Sequence, residues 1–279
     1  RSISSAGLSF IYVTFDWSTE IFRARQMVSE RLSAMEEGLP EDVIPRMGPI
    51  SSVMGEIMQI AIPIDTARIS PMQVREYADW VLRPRLMAIP GIAQVIPIGG
   101  EVRQFQVQPD TRRMAELEIS LEQLEAAIRG FSSNTSGGFL ELNAREYLIR
   151  NLGRTSSLED LKNLAITARD GQPILLRQIA TVTFAPALRR GDAGFEGKPA
   201  VILGIQKQPT ADTIHLTRSI EAALDEMKKS LPAGMEAPQV TFRQASFIEA
   251  SIGTLQGKLI GASVFVAAIL FFFLGTLRP

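Results

Sequence analysis

The sequence has no cysteine and only one histidine, and its charges almost cancel. Without cysteine the chain can form neither a disulfide framework nor a thiolate metal site, and it has no cysteine nucleophile. The single histidine, His215, cannot build a zinc cluster, and no Ser/His/Asp constellation or glycine-rich phosphate loop is found. The 29 basic and 30 acidic residues give a net charge of −1, which provides no basic field for nucleic acid. The sequence therefore supplies no catalytic residue and no cofactor-binding motif.

Charge is also absent from residues 259–277, a run rich in Leu, Ile, Val and Phe that Lys258 and Arg278 bracket. A bilayer core about 30 Å thick needs roughly 20 apolar helical residues, and flanking charges suit its interfaces. We therefore predict a transmembrane helix, which with its lead-in occupies residues 246–279. A run in this position is not a cleavable signal, so we expect the preceding part to be attached to a membrane. Because the chain begins with Arg1 and not Met, we interpret it as an internal piece of a larger membrane protein.

The part before the apolar run alternates between strand and helix patterns, and it begins with an apolar, β-rich run over residues 8–15 that predicts a strand buried on both faces. Residues 47–99 are predicted to form a strand, a helix and a strand, and the same order recurs in residues 188–245. A different block, residues 100–187, lies between them and contains a predicted hairpin over residues 139–152. Two strand-helix-strand units that share one sheet form a split βαβ, or ferredoxin-like, sandwich with two helices on one face. We therefore predict an α+β fold in which a second domain interrupts the first.

One set of candidate metal ligands lies on the strand predicted over residues 53–64. Met54, Glu56 and Met58 alternate along this strand and are therefore expected to share one face of the sheet. Thioether and carboxylate groups suit soft or borderline metal ions. Met54 and Met58 would lie about 13 Å apart at roughly 3.3 Å per residue, which is too far to bind one ion together. Two interpretations remain open: contact with a transported metal, or methionines that fill the core beneath a helix.

Several stretches, in an order preserved along the whole chain, resemble one protein family. They are RMGPISSVMGEI at residues 46–57, PGIAQV at 90–95 with the glycine pair at 99–100, QFQV at 104–107, LRRG at 188–191, QKQP at 206–209 with ADT at 211–213, and FLGTLR at 273–278. Together they resemble the resistance-nodulation-division (RND) efflux pumps, and specifically the heavy-metal branch that includes the cobalt-zinc-cadmium and copper-silver pumps. The hairpin over residues 139–152 is short for the interprotomer arm of the multidrug branch, which also favours the metal branch.

The resemblance implies a homotrimer in the bacterial inner membrane, driven by proton antiport, that is a transporter and not an enzyme. It implies passage of a metal ion through periplasmic porter domains to a periplasmic adaptor (membrane fusion protein) and an outer-membrane channel. Contact with the lipid bilayer is implied, whereas no cofactor and no nucleic acid are expected. The family's proton-relay carboxylates belong to a later transmembrane helix, outside this sequence.

The same resemblance divides the chain into domains. Residues 1–46 correspond to part of a first porter subdomain, and residues 47–99 with 188–245 correspond to a second porter subdomain. Residues 100–187 correspond to a docking domain, and residues 246–279 correspond to the second transmembrane helix with its lead-in. Everything before about residue 246 is then expected in the periplasm.

Two other functions remain open from the sequence. A multidrug pump of the same superfamily would export hydrophobic or amphiphilic drugs and would give no metal phenotype. A membrane-anchored binding module would be a single-pass protein with no further apolar spans.

Overall fold

The computed structural model describes residues 1–6, 8–16, 18–35, 39, 43–50, 55–131, 136–142, 145–150, 157–169, 171–189 and 191–274, with the backbone alone described for residues 136–142, 145–150 and 274. The chain forms two compact units, Arg1–Ser51 and Ser52–Pro279. The first is called the N-terminal unit below, and the second is called the main unit.

The N-terminal unit contains β1 (Ser2–Ser5), β2 (Leu8–Ile11) and α1 (Ile21–Ser33). Strands β1 and β2 pair as an antiparallel hairpin. The sequence pattern predicted a strand over residues 8–15 that is buried on both faces, and this prediction is wrong in extent and in burial. The strand ends at Ile11, and Phe10 and Ile11 are 53% and 73% exposed. The two strands and one helix found among the described residues of this unit are too few to cover both faces of a strand.

The main unit alternates strands and helices and ends in one long helix. Its elements in chain order are β3 (Glu56–Pro63), α2 (Pro71–Tyr77), a π-helical segment (Ala78–Leu82), α3 (Arg83–Met87), β4 (Ile92–Gly99), β5 (Arg103–Pro109), α4 (Thr111–Glu116), α5 (Leu121–Phe131), β6 (Ser136–Leu142), β7 (Arg145–Arg150), α6 (Leu158–Lys162), β8 (Ala165–Arg169), β9 (Gln172–Leu175), α7 (Leu176–Ile179), β10 (Ala180–Pro186), β11 (Gly194–Phe195), β12 (Lys198–Lys207), α8 (Thr213–Lys228), β13 (Gln239–Arg243) and α9 (Gln244–Leu274).

The principal sheet has five strands: four follow the order β13-β3-β12-β4, and the short β11 also pairs with β12. Every neighbouring pair is antiparallel. Helices α2 and α3 connect β3 to β4, and α8 connects β12 to β13. Two strand-helix-strand units thus interleave in one sheet, which is the split βαβ arrangement. The predicted α+β, ferredoxin-like fold is confirmed.

The helical connection between β3 and β4 begins with a local signal and continues past a proline. The hydroxyl of Ser70 accepts a hydrogen bond from the N–H of Gln73, whose side-chain oxygen accepts one from the N–H of Ser70. This capping box, with Pro71 at the first helical position, satisfies donors that a helix start leaves unpaired. Pro84 cannot donate a backbone hydrogen bond, and the chain takes the wider π-helical turn immediately before it.

Two separate hydrophobic cores stabilise the main unit. The larger core packs the sheet against its helices and includes Ile60, Leu203, Val74, Leu82 and Ile220, all fully buried. The smaller core lies in the inserted block, where α4 to α7 and their strands bury a second set of side chains: Met114, Leu124, Leu161, Leu176 and Val182. Strands β5 and β10 lead into and out of this block and pair with each other. The predicted hairpin of the block is present as antiparallel β6 and β7.

The last strand passes directly into α9, because β13 ends at Arg243 and α9 begins at Gln244. By length and composition, the described part of the chain has one helix that could cross a membrane, at Gln244–Phe273. Its apolar side chains are exposed from residue 250 to residue 273, and Phe272 is 84% exposed. A bilayer would cover such a surface, which a soluble helix would bury against a core. The described part of the predicted membrane run, residues 259–274, therefore lies within a continuous helix.

Candidate functional site on the open face of the sheet

The two faces of the principal sheet differ in burial. One face contacts the helices and is fully buried, with Met58, Ile60, Ile62, Val201, Leu203 and Ile205 along its two central strands. The opposite face is partly exposed. It carries Gln59, Gln94, Ile96, Ile98, Ile202, Gly204 and Gln206, all half-buried except Ile98, which is 48% exposed. We call this second set, together with Glu56, the open face.

Polar side chains form a row across three strands at one end of the open face. Gln206 of β12 lies directly opposite Gln94 of β4 and Glu56 of β3. Directly opposed residues have Cβ atoms about 4.5–5.5 Å apart, so these side chains are neighbours. The Nε2 of Gln59 donates a hydrogen bond to Oε1 of Glu56 at 2.7 Å. One carboxylate and three amides thus meet on one surface.

A β-bulge explains why Glu56 belongs to this row. Ile205 pairs with Met58 and Gln206 pairs with Glu56, which leaves Ile57 as an extra residue in β3. The bulge shifts the alternation by one residue, so that Glu56 joins Gln59 on the open face while Met58 points into the core. The prediction that Glu56 and Met58 share one face is therefore wrong.

The two predicted metal candidates that the structure describes, Glu56 and Met58, lie on opposite faces of the sheet. Met58 is fully buried in the larger core, as expected for a methionine that fills space beneath helices. Glu56 is half-buried with its carboxylate at the open face. Met54 lies outside the described residues. A role of any of them in metal contact stays a prediction.

Gly204 leaves space at the centre of the open face. It lies opposite Gln59 on one side and Ile96 on the other. A Cβ atom at this position would come within 3.3 Å of Oε1 of Glu56, closer than ordinary van der Waals contact. The absence of a side chain at this position therefore leaves room for the carboxylate of Glu56 beside the backbone of β12.

The chemistry of this surface suits passing contact with a cation. Carboxylate and amide oxygens are ligands for hard and borderline metal ions. Among the residues whose placement is described, no group of three or more His, Cys, Asp or Glu side chains could hold a metal ion. One carboxylate with amide neighbours can therefore contact a cation from one side but cannot enclose it in a complete coordination shell. His215 contributes nothing to it, because its exposed side chain lies in the first turn of α8, where its N–H donates to the capping Asp212.

A second polar region, where the inserted block joins α2, is internally paired. Nη1 of Arg103 donates to both carboxylate oxygens of Glu76, at 3.0 and 2.8 Å, and its guanidinium lies 3.9 Å above the ring of Phe184. Arg75 donates to Asp79 at 2.8 Å and to the carbonyl oxygen of Gly99 at 2.7 Å. These contacts border a cavity of about 620 Å³. Because these charges have partners within the cavity wall, the contacts hold the block against α2.

Several residues of the open face could not be predicted from the sequence. Gln94 and Gln206 lay within motifs that carried the family resemblance, but nothing in either motif showed that they would face each other and Glu56. Gln59 and Gly204 gave no signal in a single sequence, since their meaning depends on the pairing of β3 with β12.

A ferredoxin-like sheet that an inserted block interrupts, joined directly to a helix of membrane-spanning length, is the architecture of a membrane-attached module. The sequence profile of the AcrB/AcrD/AcrF family matches residues 1–279, and the chain belongs to this family. The predicted membership of the RND transporters is thereby confirmed.

Named relatives carry metal-related descriptions. The chain is 31% identical over 285 residues to the cobalt-zinc-cadmium resistance protein CzcA of Cupriavidus metallidurans, covering 100% of this chain and 27% of CzcA. It is 30% identical over 280 residues to the cation efflux system protein CusA of Escherichia coli, again covering 100% of this chain and 27% of the relative. The resemblance to the heavy-metal branch is thus confirmed, and the chain spans about a quarter of the length of these relatives.

The fold also has a counterpart among solved structures. An X-ray crystal structure of a heavy metal efflux pump superposes with a TM-score of 0.78. The match covers 94% of this chain and 26% of that chain, at 23% sequence identity. At this identity the likeness concerns the fold alone.

Proposed function

We propose that the chain is the porter and docking part, with one transmembrane helix, of a heavy-metal efflux pump in the bacterial inner membrane. The pump is a homotrimer that exchanges protons for metal cations, and it delivers them to a periplasmic adaptor and an outer-membrane channel. Family membership and the names of CzcA and CusA support this proposal. Residues before about 246 then lie in the periplasm.

The domain assignment of this proposal follows the arrangement of strands and cores. Residues 1–46 belong to the first porter subdomain. Residues 47–99 and 188–245 form the second porter subdomain, which is supported by the single sheet that their five strands build. Residues 100–187 form the docking domain, supported by its separate core. Residues 246–279 contain the transmembrane helix.

The observation that carries the proposal is the polar row on the open face. A metal cation moving along this face meets the carboxylate of Glu56 beside the amides of Gln59, Gln94 and Gln206. Transport requires binding that is weak enough for release, and a single half-buried carboxylate meets that requirement better than a closed cage.

The apolar part of the same face favours a second candidate function. Ile96, Ile98 and Ile202 are half-buried or exposed side chains next to the polar row. An apolar surface with a few polar groups is also the kind of surface that binds hydrophobic or amphiphilic molecules. A multidrug pump of the same superfamily is therefore the alternative that the test has to separate.

The test uses the intact pump in a metal-sensitive host. Cells are challenged with Co²⁺, Zn²⁺, Cd²⁺, Cu⁺ and Ag⁺ and, in parallel, with hydrophobic drugs and dyes. We expect increased tolerance to at least one metal and to no drug. Glu56→Gln, which removes the charge and keeps the shape, should abolish most of this gain at equal protein level.

Glu226→Gln is the matched control. Glu226 pairs with Arg85 at 2.8 Å on the exposed side of α8, away from the open face, and its substitution should leave metal tolerance unchanged. Tolerance to drugs without tolerance to metals would overturn the metal proposal in favour of the multidrug alternative. An equal loss of metal tolerance in Glu56→Gln and Glu226→Gln would show that the open face is not part of the transport path.

A further inference from the structure

An ion-pair cluster lies at the junction between the principal sheet and α9. None of its residues belongs to the open face. No loop separates β13 from α9, since Arg243 is the last residue of the strand and Gln244 is the first of the helix. Glu249 is the only acidic residue of α9, and it lies in the second turn. Ala245, in the first turn, is fully buried. The start of the helix is therefore packed into the main unit and is not a free tether.

Arg243 connects three elements through its guanidinium. Nη1 donates to Oε2 of Glu249 at 2.6 Å, and Nη2 lies 3.4 Å from Oε1 of the same carboxylate. Nε donates to Oε1 of Glu221 on α8 at 2.8 Å. Arg218 of α8 adds a longer contact of 3.7 Å to Glu249. The one carboxylate of α9 thus contacts two arginines, Arg243 of β13 and Arg218 of α8.

The cluster is suited to a permanent lock and not to a pH switch. Hydrogen bonds to Glu249 and then to Glu221 raise the pKa of Arg243 above its ordinary value, so the guanidinium stays charged. The side chains of Arg243 and Glu249 are only 23% and 36% exposed. Partial burial reduces screening, and the planar guanidinium fixes the orientation of the carboxylates that it binds. The angle between β13 and the first turns of α9 is therefore constrained by side chains as well as by backbone.

The position of this cluster gives it a mechanical consequence. The apolar run begins at residue 259, ten residues after Glu249, which corresponds to about 15 Å along a helix at 1.5 Å per residue. A tilt of the membrane segment therefore reaches the cluster through one continuous helix. At the cluster, the contacts of Arg243 transmit this tilt to β13, the edge strand of the sheet, and to α8.

We propose that Arg243 and Glu249 are positioning residues that lock α9 to the porter sheet, so that movement of the membrane helix displaces β13 and α8 as one body. This inference rests on the proposed transport function, to which it adds the place where membrane movement enters the porter. Glu221 has a different part, because its pair with Arg243 lies entirely within the porter between α8 and β13.

The experiment compares Glu249→Gln with Glu221→Gln in the intact pump, reconstituted in vesicles with an imposed pH gradient and assayed with Zn²⁺. Both changes remove one short ion pair of the same arginine, but only Glu249→Gln breaks the connection to α9. We expect Glu249→Gln to lower the maximal transport rate by about fivefold or more, the lower end for coupled sites. The half-saturating Zn²⁺ concentration should not change. Glu221→Gln should retain the wild-type rate within about twofold.

A distance measurement tests the lock without relying on transport. Spin labels are placed on exposed positions of α8 and α9 by Asp225→Cys and Gln256→Cys, in the intact protein with any other cysteines replaced. The distance distribution should broaden in Glu249→Gln and stay narrow in the wild type and in Glu221→Gln. An unchanged distribution in Glu249→Gln, or equal rate losses in both variants, would overturn the lock. If the wild-type pump moves no Zn²⁺, the proposed transport of this ion fails, and the distance distributions still decide the lock.

Discussion

Substitutions of Met58 test whether this residue packs the core of the main unit or contacts the metal ion that the proposed pump transports. Its side chain is fully buried in the larger core, and its residue lies between Ile205 of β12 and Arg243 of β13. Met58→Leu nearly conserves volume and removes the sulfur, so it should cost less than about 1.5 kcal/mol. Met58→Ala leaves a cavity and should cost about 2–5 kcal/mol. The two variants therefore distinguish loss of packing from loss of a soft ligand.

The assays are thermal unfolding of the purified intact pump and metal tolerance of cells at matched protein level. At about 2–4 °C per kcal/mol, Met58→Leu should lower Tm by no more than about 6 °C. Met58→Ala should lower Tm further. We expect the Leu variant to keep full metal tolerance, and the Ala variant to lose tolerance only in proportion to lost protein. A Leu variant with normal Tm and trimer formation but reduced tolerance to Cu⁺ or Ag⁺ would refute the packing argument. Met54→Leu, made in parallel, should also keep tolerance.

Three further predictions concern local structure and topology. Gly99→Ala should destabilise the intact pump more than Gly197→Ala: both have positive φ, but a Cβ at Gly99 would lie 2.4 Å from the carbonyl oxygen of Ala200, while nothing lies within 4 Å of one at Gly197. Equal Tm values would contradict this steric reading. Ser70→Ala should cost about 1 kcal/mol of stability, and Ser70→Thr much less, because only the hydroxyl caps α2. An unchanged Tm in Ser70→Ala would show that the cap contributes nothing. A reporter active only in the periplasm, fused after Pro279 in the intact protein, should be inactive, because the proposed topology places the folded part before the apolar run in the periplasm; Lys258 and Arg278 at the two ends of the run balance each other and decide nothing. An active fusion would reverse the topology.

Local signals predicted several elements because the residues that decide them are close in sequence. The Ser70 cap with Pro71 marks a helix start within one turn, and the structure begins α2 at Pro71. Strand-helix-strand patterns on both sides of the insertion indicated a split sheet, because each element has its own hydrophobic period. The apolar run from residue 259 predicted a long helix by composition alone, and α9 contains the described part of it, residues 259–274.

The wrong predictions came from features that involve a distant partner. The alternation rule placed Glu56 and Met58 on one face, but the bulge at Ile57 exists only in the pairing of β3 with β12. Strand residues 8–15 were predicted to be buried because they are apolar, yet burial requires other elements to cover them. Within the N-terminal unit, α1 and the hairpin leave Phe10 and Ile11 exposed.

The sequence by itself determined the general kind of molecule: a chain with no recognisable catalytic motif, an α+β pattern and one apolar run long enough to form a membrane-spanning helix. Composition and short-range periodicity suffice for those conclusions, because they depend on each residue and its near neighbours. The tertiary structure alone decided that Gln94 and Gln206 meet Glu56, and that Arg243 holds Glu249. Strand register and the direction of a guanidinium are set by packing between segments far apart in the chain, which local residue patterns do not determine.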